Sequence, residues 1–222
     1  MMKLESEIIE TSRNITKTVI WMHGLGADGH DFVPLIPELP LPKDAGIRFI
    51  FPHAPIRPVT LNNGYEMRAW YDLLSLERGK TANEADVLTT VDWISKLIDR
   101  EIAKGIAAEN ILLAGFSQGG VIALQAGLRY PKQLAGIMAL STYLPFAENT
   151  LKQTTATQKK VPIFAAHGIN DPVIPILSWQ TYVPELKQAG FSVEAHSYVM
   201  EHALCAEEIT DLGKWLKGVL LD

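Results

Sequence analysis

Short apolar runs rich in β-branched residues alternate along the chain with longer segments whose apolar residues recur at three- and four-residue spacings. That alternation predicts parallel strands joined by crossover helices. The runs at residues 18–23, 47–51, 111–115, 134–140, 161–166 and 193–199 read as strands, being too short for helices and flanked by turn residues. Between the second and third, Val87, Val91, Ile94, Ile98 and Ile102 form one stripe, with Asp92, Lys96, Asp99, Arg100 and Lys104 on the other positions. This is an amphipathic helix that covers a sheet face. Further helices are expected at 118–129, 176–188 and 206–220, the first closed by Tyr130-Pro131. The fold class is therefore α/β, with a mostly parallel central sheet buried on both faces.

Two stretches follow neither period. Residues 147–160, polar and rich in Thr and Gln, read as a surface connection. Residues 52–80, with several prolines and Asn62-Asn63-Gly64, are longer than loops in compact domains usually are, and loops of that size are more often functional than incidental. No repeat or linker divides the chain, so residues 1–222 are expected to form a single domain.

Composition narrows the function. Lys and Arg total 20 against 25 Asp and Glu, a formal charge of −5, which disfavours nucleic acid as a partner. One cysteine excludes a disulfide framework and a Cys-rich zinc site. The opening MMKLESEIIE lacks the basic-then-apolar order of a secretory signal, and no apolar run approaches the roughly 18 residues of a membrane span, so a cytoplasmic location is expected. Neither His-x-x-x-His nor a phosphate-binding glycine loop occurs, and no metal or cofactor is expected.

The chemistry concentrates at Gly115-Phe116-Ser117-Gln118-Gly119, which joins a predicted strand to a predicted helix. A serine at such a turn has a strained backbone that holds Oγ clear of the sheet, and glycine two residues to either side removes colliding Cβ atoms. Read alone, the pattern is a helix N-cap serine among small residues. Its position at the strand-to-helix junction favours the nucleophile. Serine is inert near neutral pH without a base, and His202, just beyond the last strand, is the best placed. His196 lies inside that strand, His30 and His53 fall in turns, and His167 ends a strand before Gly168. The orienting acid belongs on a loop after a strand between serine and histidine. Asp171, in Asn170-Asp171-Pro172, meets that condition better than Glu148 in the polar connection. Backbone N–H groups of Gln118 and of Leu25, in His23-Gly24-Leu25-Gly26, are the candidate oxyanion donors.

Six motifs then carry a resemblance. His23-Gly24-Leu25-Gly26, Pro55-Ile56-Arg57-Pro58-Val59-Thr60, Arg68-Ala69-Trp70-Tyr71-Asp72, Gly115 to Gly120, His167-Gly168 with Asp171 to Pro175, and Met200-Glu201-His202 occur in the order seen in the phospholipase/carboxylesterase family. The family includes bacterial carboxylesterases and the acyl-protein thioesterases, also called lysophospholipases. The likeness spans roughly residues 16–218, and Glu201-His202-Ala203-Leu204 looks more like the bacterial carboxylesterase branch. It implies an α/β-hydrolase fold without a cap domain, Ser117, Asp171 and His202 as catalytic residues, and Leu25 and Gln118 at the oxyanion hole.

The expected activity is cofactor-free hydrolysis of carboxylic esters with short- to medium-chain acyl groups, through an acyl-serine. The alternatives are an acyl-protein thioesterase or lysophospholipase, which would use the same residues, and a catalytically silent acyl-binding module. Substrates would be small-molecule or lipid esters. Residues 55–80 are expected to wall the acyl site, with Leu61, Trp70, Leu73, Leu74 and Leu76 as apolar lining, although packing onto the core accounts for Trp70 and Leu73 equally well. Transient membrane contact through that segment and a homodimer are left open by the sequence.

Overall fold

A computed structural model describes residues 4–75 and 82–221. Its strands are β1 (Ser6–Glu10), β2 (Lys17–Met22), β3 (Ile47–Pro52), β4 (Ile56–Val59), β5 (Tyr65–Arg68), β6 (Ile111–Phe116), β7 (Gly136–Leu140), β8 (Ile163–Gly168) and β9 (Val193–Tyr198). Its helices are α1 (Glu84–Ala103), α2 (Gln118–Gly127), α3 (Ala147–Lys152), α4 (Ile176–Gln188) and α5 (Ala206–Leu220). Seven strands form one sheet in the order β1-β3-β2-β6-β7-β8-β9. Only β1 runs antiparallel to its neighbour.

Every residue of β7 and β8 is buried, as are the first five of β6. A strand covered on both faces favours apolar residues along its length, which is why these segments are apolar runs, interrupted in β8 by His167. Alternate side chains feed two cores. Ile20, Met22, Leu113, Ile137 and Ile163 pack with α1, α2 and α4. Val19, Trp21, Leu112, Met138 and Phe164 pack with Leu212, Trp215 and Leu216 of α5 and with Phe32.

The six strands and four helices expected from periodicity are present. Four elements escape it. β1 is an edge strand, SEIIE, partly exposed and with adjacent isoleucines that break a two-residue period; its pairing with β3 forms it. Residues 56–68 fold as an antiparallel β4–β5 hairpin rather than a loop. Asn63 and Gly64 take φ of 54° and 76°, the left-handed conformations that tight hairpins require. Pro58 masks the signal, since proline normally argues against a strand and is tolerated here in an isolated two-stranded ribbon. α3 occupies part of the polar 147–160 stretch, six residues being too few to show a helical stripe. Among the described residues no helix is long and apolar enough to cross a membrane.

Candidate active site

The carboxyl ends of β2, β6, β8 and β9 deliver the chemistry, as expected for an open α/β sheet. Ser117, between β6 and α2, has φ 55° and ψ −119°. Glycine on both sides makes the turn possible: a Cβ on Gly115 would stand 2.1 Å from the Gly119 carbonyl oxygen, and one on Gly119 would stand 2.3 Å from that of Met22. The strained serine is held by its N–H on the Leu140 carbonyl at 2.9 Å and by Thr142 Oγ1 donating to its own carbonyl at 2.7 Å.

His202 comes from the loop between β9 and α5. Its Nε2 lies 2.9 Å from Ser117 Oγ and its Nδ1 2.7 Å from Asp171 Oδ2. The chemistry of these neighbours sets the tautomer: Nδ1–H donates to the carboxylate and Nε2 accepts from the hydroxyl. Asp171 is buried, and its Oδ1 accepts the N–H groups of Val173 and Ile174 at 2.8 Å each. Asp-Pro at residues 171–172 is thus a turn whose side chain holds its own backbone. Asn170 N–H donates to the Met200 carbonyl at 3.1 Å, which ties the Asp171 loop to the His202 loop. The Phe116 ring lies 4.7 Å from the His202 ring.

The glycine turn after β2 is braced from behind. His23 Nδ1–H donates to the Gly24 carbonyl (2.7 Å), while Nε2 accepts Ala54 N–H (3.0 Å). Burial lowers the His23 pKa to about 4, so the neutral ring keeps both roles. Trp70 Nε1–H donates to the His23 carbonyl at 2.9 Å. The Gln118 side chain closes the bracket, accepting Trp70 N–H at 2.7 Å and donating to the Tyr71 carbonyl at 2.9 Å. The backbone N–H groups of Leu25 and Gln118 have no hydrogen-bond partner among the described residues, and both residues line the same pocket as Ser117 and His202.

That pocket has a volume of about 650 Å³, within the range of small-ligand sites. Of the lining residues expected from the sequence, Leu73 is in place. Trp70 is fully buried and serves as a strut under the glycine turn instead. Leu61 sits on the hairpin and Leu74 is 40% exposed, and neither lines the pocket; Leu76 lies outside the described residues. Further apolar lining comes from elsewhere: Tyr143, Leu144 and Phe146 after β7, Ile174 just before α4, and Leu177 in its first turn. The sequence signal for the first group was the apolar and aromatic run 143–146 that follows a strand and precedes a polar stretch. Tyr71 and Tyr143 join across the wall through their hydroxyls at 2.9 Å.

The rival candidates are engaged elsewhere. His196 stacks on Phe164 and contacts Glu194 Oε1 at 2.9 Å. Glu148 is exposed and paired with Lys152. Glu7, His30 and His53 bring three potential ligand atoms within 4.8 Å of one another. Gly29 N–H, however, donates to His53 Nδ1 at 3.0 Å, which leaves the ring proton on Nε2, facing Glu7 Oε1 at 3.3 Å. A metal would need that Nε2 lone pair, so the contact is a hydrogen bond and not a ligand set.

The fold and the serine elbow define an α/β-hydrolase-type esterase. Residues 4–220 match the phospholipase/carboxylesterase family, and the chain belongs to that family. It is 35% identical over 202 residues to the Arabidopsis thaliana carboxylesterase SOBER1, covering 90% of this chain and 89% of that one. The SOBER1 crystal structure superposes with a TM-score of 0.87 at 34% identity, over 92% of this chain and 99% of that one. Acyl-protein thioesterase 1 of Mycosarcoma maydis is 40% identical over 222 residues, covering 92% of each chain.

Proposed function

We propose that the protein hydrolyses carboxylic esters through an acyl-enzyme on Ser117. The observation that carries this reading is the unbroken chain Ser117 Oγ, His202 Nε2 and Nδ1, Asp171 Oδ2, at 2.9 and 2.7 Å, beside an apolar pocket. His202 takes the serine proton as Oγ bonds to the ester carbonyl carbon, then gives it to the alcohol oxygen as the C–O bond breaks. The same ring next deprotonates water, which attacks the acyl carbon and returns Ser117 with release of the acid. Asp171 holds the ring and offsets the imidazolium charge. The Leu25 and Gln118 amides receive the oxyanion. Leu73, Leu144, Phe146 and Leu177 give the acyl chain an apolar bed, suited to short and medium chains.

A second reading, thioester hydrolysis on acylated proteins, is favoured by the likeness to a protein named acyl-protein thioesterase. The same residues would serve it. Turnover of p-nitrophenyl butyrate and of a palmitoylated peptide thioester, each measured with wild type and Ser117→Ala, separates the readings. The ester reading expects faster serine-dependent turnover of the butyrate, and faster turnover of the thioester would replace it.

A further inference from the structure

His167, the penultimate residue of β8, is fully buried and has no place in the reaction as described. Its Nε2 lies 2.8 Å from the Ile174 carbonyl oxygen and 3.5 Å from Asp171 Oδ2, the oxygen that also receives His202. Its Nδ1 has no hydrogen-bond partner. The ring proton therefore sits on Nε2, where an acceptor awaits it, and the ring reaches from the end of the strand to Ile174. Ile174 is one of the two residues whose N–H groups hold Asp171 Oδ1. The His167 bond closes a loop around the carboxylate: strand end, imidazole, Ile174, Asp171.

We infer that His167 is a positioning residue for Asp171, a neutral donor that fixes the turn holding the carboxylate and thereby the direction from which His202 is oriented. This rests on the triad reading of Ser117, His202 and Asp171. Neutrality matters to the role. A cation at 3.5 Å would compete with the His202 imidazolium for the same oxygen, whereas an N–H aimed at Ile174 fixes the turn and leaves the carboxylate charge to His202. Burial lowers the His167 pKa and keeps the ring uncharged; Asp171 and His202 are the titratable groups that act on it.

The test uses His167→Leu, His167→Gln and His167→Asn in the full chain. Rates are expressed per active site titrated with a fluorophosphonate, so that loss of folded protein does not count as loss of rate. Gln places an amide N–H about where Nε2 stands, and Asn falls short of it. His167→Leu is expected to lower kcat roughly 10- to 100-fold, the scale of an ångström-sized misplacement, with KM within about twofold. The acid limb of kcat/KM should move to lower pH, because a loosened Asp171 stabilises the imidazolium less. His167→Gln should recover most of the rate and His167→Asn should not, a contrast that stands even where the Leu variant does not fold. Wild-type kcat and an unmoved acid limb in His167→Leu, or equal rates in the Gln and Asn variants, would overturn the inference. An active Ser117→Ala would instead overturn the triad reading beneath it.

Discussion

In the loops after β8 and β9, Asp171 alone accepts three hydrogen bonds, from His202, Val173 and Ile174, whereas Leu73, Leu144 and Phe146 meet the same pocket through carbon. The two regions lie within one site and are built from different forces. Hydrogen bonds are directional and demand particular atoms at particular distances, so an exchange of one residue leaves an unpaired buried group behind. Apolar contact is non-directional, and a wall of similar volume can be assembled from many side chains. The first region should therefore respond to substitution in kcat, steeply, and the second in KM, gradually and according to acyl length.

The steepest break is expected on the hydrogen-bonded side. Ser117→Ala should lower kcat roughly 10⁶-fold and Asp171→Asn about 10⁴-fold, with stability little changed by the serine substitution. Pre-steady-state and steady-state hydrolysis of a p-nitrophenyl ester reads both. Retention of a tenth of the wild-type rate by Ser117→Ala would reduce the motif at residues 115–119 to a turn. His196→Ala and Glu148→Ala should remain active, since His196 packs on Phe164 and Glu148 pairs with Lys152.

Much of that side was legible in the sequence because its chemistry needs fixed residue types. Gly115 and Gly119 are required by contacts shorter than any Cβ allows, Ser117 by the hydroxyl that the proposed acyl-enzyme needs, and Asp171 by an Asp-Pro turn after a strand. The buried strands were legible for a similar reason, being apolar at nearly every position. The wall was not, because Tyr143 to Phe146 follow no period and their apolar character suits a core equally well. Trp70 shows the ambiguity most directly: its indole suited the pocket wall and the core equally, and it is fully buried beneath the glycine turn. β1 and the β4–β5 hairpin were hidden because pairing, and not local pattern, decides them.

Glu208, in the first turn of α5 and six residues beyond His202, sharpens the comparison by exception. Its carboxyl is fully buried, faces the Cys205 amide without a close hydrogen bond, and is pushed up to about 8 by burial from an ordinary value of 4.5. The folded chain keeps a proton there that the unfolded chain releases, so the stability associated with this group is fully present below about pH 4.5 and is lost as pH rises through 8. Glu208→Gln should unfold at higher denaturant than wild type at pH 9, by on the order of a few kcal/mol, with the gap narrowing toward pH 5. Urea unfolding at the two pH values checks this, and an equal gap at both would contradict it.

The smallest effects belong to the wall. Leu73→Ser should raise KM for hexanoate esters up to about tenfold while leaving acetate esters nearly unchanged, because each buried CH₂ contributes about 0.8 kcal/mol. Leu74→Ser, outside the pocket, should leave both within about twofold. Equal responses of the two esters to Leu73→Ser, in folded protein, would place the acyl site elsewhere.

The proposed reaction depends on covalent acylation of Ser117 with His202 as its base. Peptide mapping by mass spectrometry after brief exposure to a fluorophosphonate tests it most directly. One adduct per chain is expected, on the peptide containing Ser117, absent from Ser117→Ala and formed far more slowly by His202→Ala. A fully active enzyme that carries no adduct, or carries it on a different residue, would rule out Ser117 as the nucleophile.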